Sequence, residues 1–393
     1  MKQFEKNAFY RVFQREIKII SSEWVTILSM LILPIIAFIF VIFIFQQGVP
    51  RDMAVSVVDQ DQSALSRKIT QMVDATSIAK IEQHCSSKQD AYNLMRQGKN
   101  RAFLFIPKNT EKDVLRGNAP EIVLYVDNTN IVTAGLLNKG IRTAIGTLSI
   151  QIKVATSLKK GASQSQAIAQ AMPIKLEDHI LFNPYANYSF FLVSGLLPLL
   201  LTVFVFFTST YSFGSELRYK TAPELLKASD NSVITAVAGK MLPYTLIYFL
   251  HALLMNYFLF TFLDMPLTGS YFLIIVSEIL LIITYQLLAI LFITVTSNMR
   301  LSMSLGSAFT MMSLTFAGLT FPYIGMPISA KIFSYIFPYG YWLKTLLGQT
   351  LRNEEIAYSI YPLYYILIFI VICILILPLY KKRLQNSKYH GKI

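Results

Sequence analysis

The chain has 393 residues, of which 54% are hydrophobic and only 15% are charged, whereas average soluble proteins carry about 25% charged residues. So little charge excludes a soluble enzyme, because a soluble chain of this length needs a larger polar surface. The formal net charge of +13 would suit nucleic-acid binding, but the basic residues are placed as in a membrane protein, and we predict no nucleic-acid partner.

Residues 1–23 are predicted to form a cytoplasmic amphipathic helix that lies in the membrane interface. Apolar residues recur at helical spacing, and basic residues stand between them. The apolar residues are Phe9, Phe13, Ile17 and Ile20, and the basic ones are Arg11, Arg15 and Lys18. A simple anchor is the alternative that this pattern leaves open.

Six apolar stretches are long enough to cross a hydrocarbon core, which takes about 20 residues. They are 24–45, 189–211, 241–263, 272–295, 303–321 and 358–380. The first is too long for the apolar region of a signal peptide, so 24–46 is predicted to be a retained transmembrane helix. Residues 187–380 then hold helices two to six. Segment 322–357 contains Lys331, Pro338 and Lys344 and is predicted to form short helices in the outer leaflet.

Lys and Arg residues set the predicted orientation. Five precede residue 24, four lie in loop 212–240 and five lie in the tail 381–393, whereas loop 264–271 has none. The positive-inside rule therefore places both termini in the cytoplasm. The predicted fold class is an α-helical polytopic membrane protein of six transmembrane helices with an inserted extracytoplasmic α/β domain at 47–186.

The inserted domain is predicted from alternating strand and helix patterns. Strands are expected at 54–59, 78–83, 102–107 and 121–127, and helices at 63–73, 86–96 and 130–158. Asp59 and Asp61 follow the first strand directly. A turn that caps the next helix explains this acidic pair better than catalysis or metal binding.

The motifs of common catalytic sites are absent from the sequence. It contains no GxxxxGK[ST] phosphate loop, no HExxH, no GxSxG and no Cys/His cluster with metal-ligand spacing. Cys85 and Cys373 lie in a polar and an apolar stretch, so a bridge between them is not expected. We therefore predict no catalytic residue, no metal site and no cofactor in this chain.

Glu278 is the main ionisable residue inside a predicted helix of the membrane, about 10 Å from its start. Such a residue usually faces the bundle interior or water. It is a possible lining residue of a substrate pathway, or the partner of Lys331 or Lys344 in a structural ion pair. His251, near the middle of the third predicted helix, is expected to make a hydrogen-bonded packing contact.

The loop 212–240 carries a short helix after Thr221. Thr221 and Glu224 have the spacing of a capping box, and Pro223 falls in the first turn, where proline is tolerated. Leu225 and Leu226 form a small apolar face. An exposed apolar face on a short capped helix is predicted to dock into another protein, and binding to the lipid surface is the alternative.

In this loop and around it, the sequence resembles the membrane subunits of ABC type-2 exporters. The residues in the order of that pattern are Thr221, Glu224, Leu225, Leu226, Ala228, Ser229, Gly239, Lys240, Leu242, Pro243 and Tyr244. The stretches 183–198 and 316–344 are also similar to the family, and the resemblance spans essentially the whole chain. It departs at Lys220, where a glycine is usual, and at Ser194, where a proline is common.

The resemblance implies a permease subunit that docks a separate ABC ATP-binding subunit. ATP and Mg would be bound by that partner. Coupling is assigned to Glu216, Arg218, Thr221, Glu224, Leu225 and Leu226, flanked by Arg11, Phe13 and Arg15 of the first helix. Glu278, Pro322, Pro327 and Pro338 are assigned to the possible pathway.

Further partners are implied by the same resemblance. They are a second permease subunit, membrane lipids, and in some relatives a periplasmic adaptor with an outer-membrane channel; the implied location is the bacterial cytoplasmic (inner) membrane. Two other classes of function remain as alternatives: a secondary transporter, and a membrane sensor or scaffold whose extracytoplasmic domain reads a ligand.

Overall fold

The computed structural model describes residues 7–391. Lys2, Lys6 and Lys392, which entered the prediction of orientation, lie outside this range. The chain divides into two compact units. The helical unit comprises the residues up to Gly48 and those from Ile180 onward, and the sheet unit comprises Val49–His179.

The helices and strands are given in chain order. Before the sheet unit they are α1 (Ala8–Ser22) and α2 (Trp24–Phe45). In the sheet unit they are β1 (Met53–Asp59), α3 (Ala64–Asp74), β2 (Ala79–His84), α4 (Lys88–Arg96), β3 (Ala102–Ile106), α5 (Thr110–Leu115), β4 (Val123–Val126), α6 (Ile131–Lys159) and α7 (Gln164–Ala171). After it they are α8 (Ser189–Arg218), α9 (Ala222–Ala228), α10 (Val233–Phe262), α11 (Tyr271–Thr296), α12 (Met299–Phe316), α13 (Ile328–Ser334), α14 (Pro338–Thr350) and α15 (Ile356–Gln385).

Within residues 7–391, five helices are long and apolar enough to cross a membrane: α2, α8, α10, α11 and α15. The chain therefore has the helices of a multi-pass membrane protein. The predicted span 303–321 is not among the five. Its helix, α12, begins at Met299 and ends at Phe316, because the chain turns at Gly318, which has a φ of +84°. Whether α12 crosses the membrane stays a prediction.

Helix α11 lies at the centre of the helical unit. It packs against α8, α10, α12, α14 and α15. Large side chains such as Tyr285 and Trp342 are fully buried around it. The segment 322–357 contains the two short helices α13 and α14, as predicted, and α14 is largely buried. Its location in the outer leaflet stays a prediction.

The sheet unit has the predicted α/β fold. Its four strands have the order β2-β1-β3-β4, with β1 parallel to β2 and β3, and with β4 antiparallel to β3. Since side chains alternate along a strand, Val55 and Val57 of β1 pack with α3 and α6, whereas Val58 packs with α4 on the opposite face. The sheet is thus covered by helices on both faces.

The predicted turn after β1 is confirmed. The Asp59 carboxylate accepts hydrogen bonds from the backbone N–H groups of Asp61 and Gln62, each at 2.9 Å, and from the Ser66 hydroxyl at 2.7 Å. Ser63 caps α3, with Ser66 as its partner in a capping box. Asp59 is therefore a structural residue of this turn.

Candidate functional site

Four charged side chains from three helices meet inside the helical unit. Lys240 of α10 lies 2.6 Å from the Glu16 carboxylate of α1 and 2.7 Å from the Glu216 carboxylate of α8. Arg15 of α1 donates two hydrogen bonds to Glu216, at 2.6 and 3.0 Å. We call these four residues the charge cluster. Two acids and two bases balance one another, as buried charges require.

The two carboxylates of the charge cluster also accept hydrogen bonds from neutral side chains. Ser212 and Tyr244 each donate to Glu16 at 2.8 Å. Thr221 donates to Glu216 at 2.6 Å. Glu16, Glu216 and Lys240 are each only 1% exposed, so this satisfied network holds α1, α8, α10 and the start of the loop in fixed relative positions.

Arg15 extends the charge cluster toward the surface. Burial works against its charge, but its hydrogen bond to Glu216 and the nearby carboxylates outweigh that effect and raise the pKa of the guanidinium above its ordinary value. Its Nη2 atom also lies 3.8 Å from the carboxylate of Glu224, whose side chain is 73% exposed. Arg15 is thus the charged link between the buried acids and the exposed face of α9.

A second ion pair connects α1 to the end of α9. Arg11 lies 2.5 Å from Asp230, and its Nε donates to the Ala228 carbonyl at 3.2 Å. A cation at the C-terminus of a helix is favourable because the last carbonyls carry partial negative charge. Close approach of α1 to α10 is possible because Gly239 has no Cβ, which would lie 2.9 Å from Val12.

The prediction of an exposed apolar face on the loop helix is wrong. Leu225 is fully buried and Leu226 is 8% exposed, because α9 packs between α1, α8, α10 and α15. The exposed residues of α9 are Pro223, Glu224 and Lys227. Its free face is therefore polar.

The predicted capping box of this helix is also wrong. Thr221 is the residue before α9, but it makes no capping hydrogen bond. Its hydroxyl donates instead to Glu216, within the charge cluster. Sequence spacing alone could not foresee this competing acceptor. Arg218, another residue assigned to coupling, is half-buried and lies over the Tyr219 ring at 5.4 Å.

The apolar stripe predicted for the first helix is buried only in part. The face of α1 that packs on α10 consists of Val12, Glu16 and Ile20, whereas Ile17 is 42% exposed and Phe13 is half-buried. The buried face of α1 therefore carries a charge at its centre. The only sequence signal for this was an acid at helical spacing between two aliphatic residues.

Glu278 makes no ion pair with Lys331 or Lys344 among the described residues, so that alternative is wrong. Its Oε2 atom accepts a hydrogen bond from Asn256 at 3.0 Å. Within residues 7–391, neither its Oε1 atom nor the amide oxygen of Asn256 has a partner. Lys331 donates to a backbone carbonyl and Lys344 lies over the Tyr323 ring.

The remaining predicted residues have structural positions in the segment between α12 and α15. Pro322 precedes a short 3-10 turn, Pro327 precedes α13 and Pro338 is the first residue of α14, where proline costs no hydrogen bond.

His251 lies in α10. Its ring nitrogens are 2.8 and 3.2 Å from the carbonyls of Ile247 and Leu31, which confirms the predicted hydrogen-bonded packing contact.

Comparison with known families identifies the chain. No curated protein matches it significantly. The family model described as "ABC-2 family transporter protein" matches residues 24–379. This range contains the whole sheet unit and includes Glu216 and Lys240 of the charge cluster, whereas Arg15 and Glu16 of α1 precede it. Because the match covers nearly the whole chain, the protein belongs to the ABC-2 family of transporter proteins and is a multi-pass permease of this family.

Proposed function

We propose that the chain is the membrane subunit of an ATP-driven exporter, and that the charge cluster couples it to a separate ATP-binding subunit. The observation that carries this proposal is that buried ion pairs join α1 to the two span-length helices α8 and α10, and that Arg15 and Thr221 link α9 to the same cluster. A force on the exposed face of α9 would reach α8 and α10 directly, because Thr221 and Arg15 connect that helix to Glu216.

The proposed contact surface for the ATP-binding subunit is the polar face of α9. Glu224 and Lys227 are exposed there, and Asp230 follows at the end of the helix. Charged residues at the rim of an interface set partner choice and the rate of encounter. ATP and Mg belong to the partner in this proposal, since the chain has no phosphate loop.

The membrane arrangement is part of the same proposal. Both termini and α9 lie in the cytoplasm, α12 is the fifth of six transmembrane helices, and the sheet unit is extracytoplasmic. A second permease subunit completes the pathway, which α8, α12 and the segment with Pro322, Pro327 and Pro338 line together with Glu278. The protein itself lies in the inner membrane of a bacterium, and a periplasmic adaptor and an outer-membrane channel are further proposed partners.

Charge reversal on α9 tests the coupling surface. We expect Glu224→Arg combined with Lys227→Glu to reduce recovery of the ATP-binding subunit at least about tenfold when the permease is purified in mild detergent, because like charges then face each other across the interface. Leu225→Asp is unsuitable for this purpose. It would bury an unpaired charge and damage the fold itself.

Glu355→Arg is the matched control. Glu355 is also exposed and stands at the N-terminus of a helix, but it lies at the opposite end of α15, about 45 Å from the end that packs near α9. Recovery of the ATPase should be normal in this variant. Normal recovery in the α9 variant as well, at equal membrane level, would overturn the proposed surface, and transport without any ATPase would favour a secondary transporter.

A further inference from the structure

The sheet unit contains a long cavity that has no role in the proposed transport cycle. Its volume is about 1070 Å³, slightly above the range of about 300–1,000 Å³ for small-molecule sites. One wall is a face of α6, and the opposite wall is formed by α5, the loop 117–122 and β4. All of these residues belong to the sheet unit and are described by the structure.

The cavity has an aliphatic lining along its α6 wall. Ile141, Ile145, Leu148 and Ile152 of α6 line it together with Ile69 of α3 and other aliphatic residues. Every lining residue lies in the described part of the chain, and none is Phe, Tyr or Trp. Sites for planar or quaternary-ammonium ligands use aromatic faces. An aliphatic lining without rings favours a ligand with a hydrocarbon chain instead.

The length of the cavity fits such a chain. Its α6 wall extends at least from Asn138 to Thr156, which is about 27 Å at 1.5 Å per residue. The acyl chains of one leaflet span about 15 Å, half of a hydrocarbon core of about 30 Å. A lipid-length chain can therefore lie along α6 with room left for a head group.

The charges of the lining favour an anionic head group. Arg142 and Lys153 lie on the α6 wall, and Glu121 is the single acid among the lining residues, all of which the structure describes. The Arg142 side chain is held by a hydrogen bond from its Nε to the Asn138 side chain at 2.8 Å. A fixed guanidinium is well suited to carboxylate or phosphate oxygens.

We infer that this cavity binds an amphipathic anion with an aliphatic chain. The shared chemistry is a hydrocarbon chain that ends in a carboxylate or a phosphate, as in a free fatty acid or an anionic phospholipid. The chain lies along Ile145 and Ile152, and the head group lies at Arg142 or Lys153. This inference concerns the sheet unit and does not depend on coupling to an ATPase.

Photo-crosslinking in vesicles tests the inference. Full-length protein is reconstituted in phosphatidylcholine with a trace of diazirine-bearing palmitate or, in a second arm, diazirine-bearing phosphatidylglycerol, and the crosslinked peptides are mapped by mass spectrometry. We expect crosslinks in α6 between residues 138 and 157 and in the facing loop 117–122. The arm with the stronger labelling identifies the source of the chain.

Two glycines of α6 provide a matched pair of variants. A Cβ at either Gly135 or Gly146 meets no atom within 4 Å, but only Gly146 lines the cavity. Both lie on one face of the helix, about 16 Å apart. Gly146→Phe fills the cavity and should reduce labelling of α6 at least about fivefold, because a ring replaces the chain. Gly135→Phe should leave the labelling unchanged.

The head group is tested with a neutral probe. A diazirine-bearing fatty alcohol of the same chain length should label α6 about tenfold less than palmitate does, since one charge-assisted hydrogen bond contributes about that factor. Arg142→Gln with Lys153→Gln should reduce palmitate labelling to the level of the alcohol. Equal labelling of Gly146→Phe and wild type, or of acid and alcohol, would overturn the inference.

Discussion

Removal of the central cation of the charge cluster should destabilise the helical unit strongly. Lys240→Met keeps the length of the side chain but deletes contacts of 2.6 and 2.7 Å to Glu16 and Glu216. Two buried carboxylates then share one guanidinium. Breaking a buried ion pair by removing one partner costs about 3–5 kcal/mol. At about 2 °C per kcal/mol for a large domain, we expect the midpoint of thermal unfolding to fall by about 6–10 °C.

A second substitution distinguishes charge imbalance from lost packing. Glu16→Gln added to Lys240→Met leaves the neutral pair of Arg15 and Glu216, and the new amide oxygen still accepts from Ser212 and Tyr244. We expect this double variant to recover about half of the loss, because no acid then lacks a cation.

The assay is the loss of monodisperse full-length protein from size-exclusion chromatography after heating in detergent. All variants are heated at one rate, because such unfolding is usually irreversible. Lys227→Met is the matched control, since this lysine is exposed and its loss should cost less than about 0.5 kcal/mol. A midpoint for Lys240→Met within about 1 °C of wild type, or a double variant no more stable than the single one, would refute the reasoning.

Two further predictions concern the interior of the helical unit. Glu278 has no cation beside it among the described residues, and an ionised carboxylate buried in this way is costly. We therefore expect Glu278 to carry a proton and to react with dicyclohexylcarbodiimide at neutral pH. Mass spectrometry should find the adduct on Glu278 and not on the ion-paired Glu216, and the reverse pattern would contradict the assignment. Gly306→Leu should lower the free energy of unfolding by about 2–3 kcal/mol or more, because a Cβ there overlaps the ring of Phe206. Ser304→Leu on the exposed side of α12 should change the unfolding midpoint by less than about 2 °C. Equal midpoints for the two variants would disprove the close packing of α12 on α8.

The secondary structure of the sheet unit was predictable because its signals are local. The strand predicted at 54–59 and the turn predicted after it involve neighbours in the sequence, and both are found in the structure, the strand as Met53–Asp59. β4 was predicted over 121–127 but forms only over Val123–Val126. Its length is set by its partner, since β3 pairs with it only from Ala102 to Phe105, and a strand pattern does not contain that information.

The charge cluster was not predictable because its contacts are distant in sequence. Arg15 and Glu216 are 201 positions apart, and Lys240 and Glu16 are 224 apart. The sequence did place Glu216 and Arg15 near the same contact, through the resemblance to a family. It gave no indication that Lys240 pairs with both Glu216 and Glu16. The only sequence feature that pointed to this role of Lys240 was its place at the start of an apolar run.

The error at Leu225 has the same origin and changes the mechanism that we propose. An amphipathic helix of seven residues shows which face is apolar, but not whether the chain itself or a partner covers that face. Here the chain covers it, so α9 is part of the helical unit and not a free docking segment.

Replacing buried ion pairs by apolar residues is often neutral or stabilising, so stability alone does not account for a cluster of three buried charges and the half-buried Arg15. Their directional contacts fix the positions of α1, α8 and α10 relative to α9 more narrowly than apolar packing would. On the proposed function, this is the property that a coupling element needs: a partner that displaces the polar face of α9 would move the ends of two span-length helices with it.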